Sequence, residues 1–100
     1  MHARVSFYEG QPADIDAAVE AFRSATDALQ QVEGHKGATL LIDRINGKSI
    51  TVTYWDTEEH LQASVEAANR LRQQAADTSG LSIKSVDNYE VAIDTGGWKD

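Results

Sequence analysis

The chain has 100 residues, 41% of them hydrophobic and 25% charged, with one proline and seven glycines, a composition that fits one folded domain and excludes a disordered or collagen-like chain. Sixteen acidic residues against nine basic ones leave a formal charge of -7, which opposes nucleic-acid binding and disfavours anionic membrane surfaces. The absence of cysteine excludes disulfides, thiolate metal sites, iron–sulfur clusters and cysteine nucleophiles. Val5, Phe7 and Tyr8 lie in a β-favouring run from Ala3 to Glu9, closed by the turn cluster Gly10-Gln11-Pro12. Asp14 then stands where a helix cap belongs, and Asp16 suits the positive end of that helix. Ile15, Val19, Phe22, Thr26, Leu29 and Val32 recur on one helical face up to Gly34. Two β-rich runs follow, Ala38 to Ile45 and Lys48 to Trp55, separated by Asn46-Gly47, the dipeptide that favours a type I′ hairpin turn. Asp56 precedes Glu59 by three residues, a reciprocal cap for a second helix with an apolar face of Leu61, Val65, Ala68, Leu71 and Ala75. Thr78-Ser79-Gly80 ends that helix, and Ser82 to Ile93 is strand-like without being one-sided. A single domain over 1–93 with a tail over 94–100 is the expected organisation. No window approaches the roughly 18 apolar residues of a membrane span, and Met1 to Arg4 contain no signal-peptide core, so a cytoplasmic location is expected.

The order β-α-β-β-α-β predicts an α+β, ferredoxin-like fold with two helices on one face of a four-stranded antiparallel sheet. In the hairpin, Ala38, Leu40 and Ile42 fall on one side and Thr39, Leu41 and Ile45 on the other, so both faces carry apolar groups. Helices can cover only one of them. A second copy is expected to cover the other, which predicts a homodimer packed sheet to sheet, with the tail and its Trp98 reaching across the partner.

Several side chains are candidates for chemistry. Trp55 ends a strand beside a helix start, where a large aromatic either plugs the junction or lines a pocket. His60 lies near a helix N-terminus, whose dipole would keep the ring neutral and able to act as a base, although the sequence places no carboxylate to orient it. Tyr8 and Tyr54 sit on strands with phenols able to meet a ligand. His2 and His35 are too scattered to build a metal site with His60, and no metal is expected. Arg70 and Arg72, two residues apart on a helix, face different directions and read as solvated charges. Neither a phosphate-binding loop nor a serine nucleophile elbow is present.

The stretch Gly34-His35-Lys36-Gly37-Ala38-Thr39-Leu40-Leu41, a hairpin, and then Thr53-Tyr54-Trp55-Asp56-Thr57-Glu58-Glu59-His60-Leu61 resemble the antibiotic biosynthesis monooxygenase-like family of dimeric α+β barrels. The resemblance spans most of the chain and implies a homodimer with a pocket in each subunit between sheet and helices. Members of that family include cofactor-independent oxygenases that convert phenolic or quinol-type aromatics to quinones, and haem-degrading oxygenases. The quinone-forming members use an asparagine four residues before the tryptophan and a tyrosine six after it, where this sequence has Thr51 and Leu61. The haem-degrading branch uses a first-strand asparagine, absent here, and a histidine farther along the second helix than His60. The resemblance therefore implies a monooxygenase for an aromatic or polycyclic molecule, without cofactor, and of its catalytic positions only Trp55 matches; the residues themselves add His60 as a second catalytic candidate beside Trp55, and Tyr8 and Tyr54 with Trp55 as substrate contacts. A non-catalytic dimeric small-molecule-binding or accessory module of the same fold is the alternative.

Overall fold

The structure, a computed structural model, describes residues 1–96. Strand β1 (His2–Glu9) leads through a 3-10 turn (Pro12–Asp14) into helix α1 (Ile15–Leu29). The hairpin of β2 (His35–Asp43) and β3 (Lys48–Trp55) follows, then α2 (Glu58–Ala63), α3 (Val65–Ser79) and β4 (Ser82–Glu90). The sheet has four antiparallel strands in the order β2-β3-β1-β4, with the helices on one face, so the expected ferredoxin-like fold is present. Among the described residues no helix is long and apolar enough to cross a membrane.

Several local expectations change. The β2–β3 connection is not a type I′ turn, because Asn46 keeps a negative φ and only Gly47 takes a positive one, at 69°. Asp43 instead organises a longer turn, its carboxylate accepting from the Ile45 and Asn46 backbone amides and from the Asn46 side chain. Ile45 consequently sits in the turn, 86% exposed, and belongs to neither sheet face. The second helix starts on Thr57, whose hydroxyl accepts from the His60 amide at 3.0 Å, so Asp56 is released from capping. That helix is also interrupted at Ser64, whose buried hydroxyl donates to the Leu61 carbonyl at 2.6 Å. Helix α1 stops at Leu29, five residues before Gly34. Strand β4 ends at Glu90, although the Val91 amide still donates to the Met1 carbonyl at 2.9 Å. Trp98, in the expected tail, lies outside the described residues.

The register places Arg4 beside Thr53, Ser6 beside Thr51 and Tyr8 beside Ser49. Strand period two then puts all six on the helix-covered face, with Val5, Phe7, Ile50, Val52 and Tyr54 on the open one. On these two central strands the covered side is thus the more polar, the reverse of the usual alternation, whereas β2 turns Leu40 and Ile42 toward the helices. Apolar packing under the helices gathers at the two ends of the sheet. Tyr8, Ala18 and Leu81 close one end, and Leu29, Trp55 and Leu61 close the other.

Candidate functional site

Between those clusters the chain leaves a narrow cavity of about 40 Å³. Its floor is the polar strand face of Arg4, Ser6, Tyr8, Thr51 and Thr53, and Phe22 and Ala25 of α1 with Ala68, Leu71, Arg72 and Ala75 of α3 form its roof. The small residues of α3 let the helix approach the sheet without filling the space. A second chamber of about 20 Å³ continues toward Leu81, and outside it an open groove of about 540 Å³ runs between α1 and β2 along Val19, Leu40 and Ile42. Phe22 lines all three spaces.

Arg4 is 5% exposed. Its guanidinium donates to the Leu61 carbonyl at 2.9 Å and to the Ser64 hydroxyl at 3.2 Å, using acceptors that the helix break at Ser64 makes available. It also lies 5.8 Å from the centroid of the Trp55 ring, within range of a cation–π attraction. Burial, and then the neighbouring charge of Arg72, push its pKa down to about 10, so it remains a cation at neutral pH. Arg72 is half-buried, and its guanidinium donates to the Asn69 side chain at 2.7 Å. Neither arginine forms an ion pair among the described residues. Burial pushes the Tyr8 phenol up, partly opposed by Thr51, Arg72 and Ser6, so Tyr8 is protonated and able to donate. Among the described residues no carboxylate or imidazole lines the cavity.

The residues singled out from the sequence lie in three separate places. Tyr8 lines the cavity. Trp55 is fully buried behind it, its Nε1–H donating to the Thr53 hydroxyl at 3.0 Å and the His35 ring meeting it edge-on at 5.4 Å, and it is absent from the cavity lining. Tyr54 points to the open sheet face. His60 lies at the outer end, its Nδ1 2.6 Å from Asp56 and its Nε2 3.4 Å from Glu33. A carboxylate does orient His60, contrary to the sequence reading, because Asp56 is free of the cap. The hydrogen bond to Asp56 dominates and raises the His60 pKa above the usual imidazole value, the direction opposite to that expected from the helix dipole. Arg72, read as a solvated charge, is corrected to a cavity residue. Its signal was its spacing, four residues after Ala68 and four before Ala76 on the inward face, and that of Arg4 was its alternation with Ser6 and Tyr8. Among the described residues no group of three or more His, Asp or Glu side chains is placed to hold a metal ion.

A four-stranded ferredoxin-like sheet with an internal polar cavity under its helices defines a class of small α+β domains. Residues 1–76 match the antibiotic biosynthesis monooxygenase family, and the chain belongs to that family. It is 33% identical over 94 residues to the uncharacterized protein Rv2558 of Mycobacterium tuberculosis and 31% identical over 93 residues to the uncharacterized protein Rv2557 of the same organism. Those alignments cover 93% and 92% of this chain but only 39% and 41% of the relatives, so the chain spans about two-fifths of the length of the curated relatives it matches. Among solved structures it is similar to SnoaB, a cofactor-independent oxygenase from Streptomyces nogalater, with a TM-score of 0.70 and 15% identity over 96% of this chain and 97% of that one. Rv0793 from Mycobacterium tuberculosis gives a TM-score of 0.66 and 12% identity over 95% and 98% of the two chains. At these identities the structural likeness is one of fold.

Proposed function

We propose that the chain is a cofactor-independent monooxygenase that oxidises a hydroxyaromatic small molecule bound between sheet and helices, and that it acts as a homodimer. The observation that carries the catalytic reading is the cavity floor, where the protonated Tyr8 phenol stands with the Ser6 and Thr51 hydroxyls under apolar walls. The donors of such a site stabilise an oxygen that gains negative charge during reaction. The electrons come from the substrate. A phenol and O₂ yield a quinone and water, with one oxygen atom entering the ring at a former C–H carbon and the other leaving as water with that hydrogen and the phenolic one. In this reading Tyr8 and Thr51 touch the ligand, while Trp55 supports Arg4 from behind, and neither Tyr54 nor His60 is given a ligand contact.

Oxygen uptake by the purified chain with a panel of dihydroxynaphthalenes and anthrones tests the reading. It requires uptake above the protein-free blank with equimolar quinone, and Tyr8→Phe should lower kcat by about 10–100-fold. Uptake no higher than the blank across the panel would sink it. One observation favours a second reading, a non-catalytic small-molecule-binding module: the cavity lining supplies no carboxylate or imidazole to act as a base. Saturable ligand contact in ligand-detected NMR without product would select that module.

The homodimer rests on the open sheet face. Phe7, Leu41 and Tyr89 are exposed there at 38%, 52% and 52%, with Val5, Ile50 and Val52 between them. Twofold symmetry would set the same apolar face of a second copy against it.

A further inference from the structure

We propose that Arg4 and Arg72 receive a carboxylate, so that the ligand of this cavity is a hydroxyaryl carboxylate whose charged head meets the two guanidiniums. The inference deepens the reading of this cavity as the ligand site and rests on it. The first support is an imbalance of charge. Buried charges are ordinarily paired, and in this chain acidic residues outnumber basic ones sixteen to nine, yet two guanidiniums share one cavity with no carboxylate in ion-pair range among the described residues. Burial, and after it the charge of Arg72, lower the pKa of Arg4, so the second guanidinium adds to the cost of the first.

The second support is a count of donors. A guanidinium carries five N–H groups. Arg4 engages Ser64 and Leu61, and Arg72 engages Asn69, so among the described residues each guanidinium uses only part of its donor set. The planar fork of a guanidinium matches a carboxylate in two-point contact.

Titration calorimetry of the full chain with 1-hydroxy-2-naphthoate, its methyl ester and 1-naphthol tests the inference. The acid should bind on the order of 10–100-fold tighter than the ester or the naphthol, the range expected for hydrogen bonds to a charged group. Arg72→Gln should bring the three affinities together, Arg72→Lys should retain part of the preference, and Arg70→Gln, an exposed charge on the same helix, should leave the ratio unchanged. Equal affinity for acid and ester in the unsubstituted chain overturns the inference, as does no binding of any of the three. Naphthol turnover without acid preference would overturn it while leaving the monooxygenase reading standing. Acid preference without oxygen uptake would support it while the monooxygenase reading fails.

Discussion

Trp55 lies behind the cavity and packs against the side chain that forms part of its floor. Its ring is fully buried against Leu29 and Leu61 and faces the Arg4 guanidinium, and its Nε1–H is satisfied by Thr53. Trp55→Ala should cost about 3–5 kcal/mol by leaving a large cavity, and Trp55→Phe only about 1 kcal/mol, chiefly the lost hydrogen bond. Urea unfolding followed by circular dichroism separates the two, and equal costs would contradict a packing role. His60 has a different dependence on its surroundings. Its pKa is raised by Asp56 and then Glu33, so the stability this contact supplies is fully present below the unfolded imidazole value near 6.5 and is lost as pH rises through the higher folded value. Asp56 is depressed by the same hydrogen bond, so its share is present above about 3.8 and is lost as pH falls through its lower folded value. The melting temperature should therefore fall from pH 6 to pH 8 by more in the unsubstituted chain than in His60→Gln, and parallel curves would count against the pairing.

At the scale of elements, the loop after α1 and the start of α2 are joined at one point. Gly34 has φ 89°, its carbonyl accepts from the Asp56 amide at 2.9 Å, and a Cβ there would overlap the His60 side chain and approach Asp56 to 2.7 Å. Left-handed backbone alone costs a non-glycine residue roughly 1–2 kcal/mol, and the overlap adds to it. Gly34→Ala should thus destabilise by about 2 kcal/mol or more and should also flatten the pH dependence just described, because His60 must move. A destabilised variant that kept the full pH dependence would show that the loop and the His60–Asp56 pair are independent. The break between α2 and α3 has a comparable role on the inner side. Ser64 turns a continuous helix into two, and the acceptors it makes available hold Arg4 in the cavity floor.

For the whole molecule the decisive feature is a sheet with its apolar face outward. Phe7, Leu41, Ile50, Val52 and Tyr89 form a continuous surface on the side the helices leave open. The largest apolar patch of a typical monomer is ~300–600 Å², and covering a whole sheet face in an obligate dimer should bury on the order of 2,000 Å² in total. Sedimentation equilibrium at micromolar concentration should give about twice the chain mass of 10.9 kDa, unchanged on dilution. Leu41→Asp, which places a charge on that face, should shift the population to monomer. A mass of one chain for the unsubstituted protein would defeat the dimer.

The sequence by itself determined the order of elements, since each rests on local chemistry: alternation in Lys48–Trp55, the three-and-four spacing of α1, a glycine with φ 82° closing α3. It also carried the family, because the glycine-rich start of β2 and the Trp-Asp-Thr-Glu helix start are short-range patterns. The candidate site was legible only at Tyr8. Alternation shows that Ser49, Thr51 and Thr53 share one face and Ile50, Val52 and Tyr54 the other, but it does not say on which of them the helices land. That choice depends on how α1 and α3 seat across the sheet, and here they seat on the polar side. Tertiary structure alone therefore decided that Arg4 and Arg72 meet in one cavity and that Glu33 and Asp56 converge on His60. Both are contacts between residues distant along the chain, and each residue pattern is by itself compatible with exposure to water.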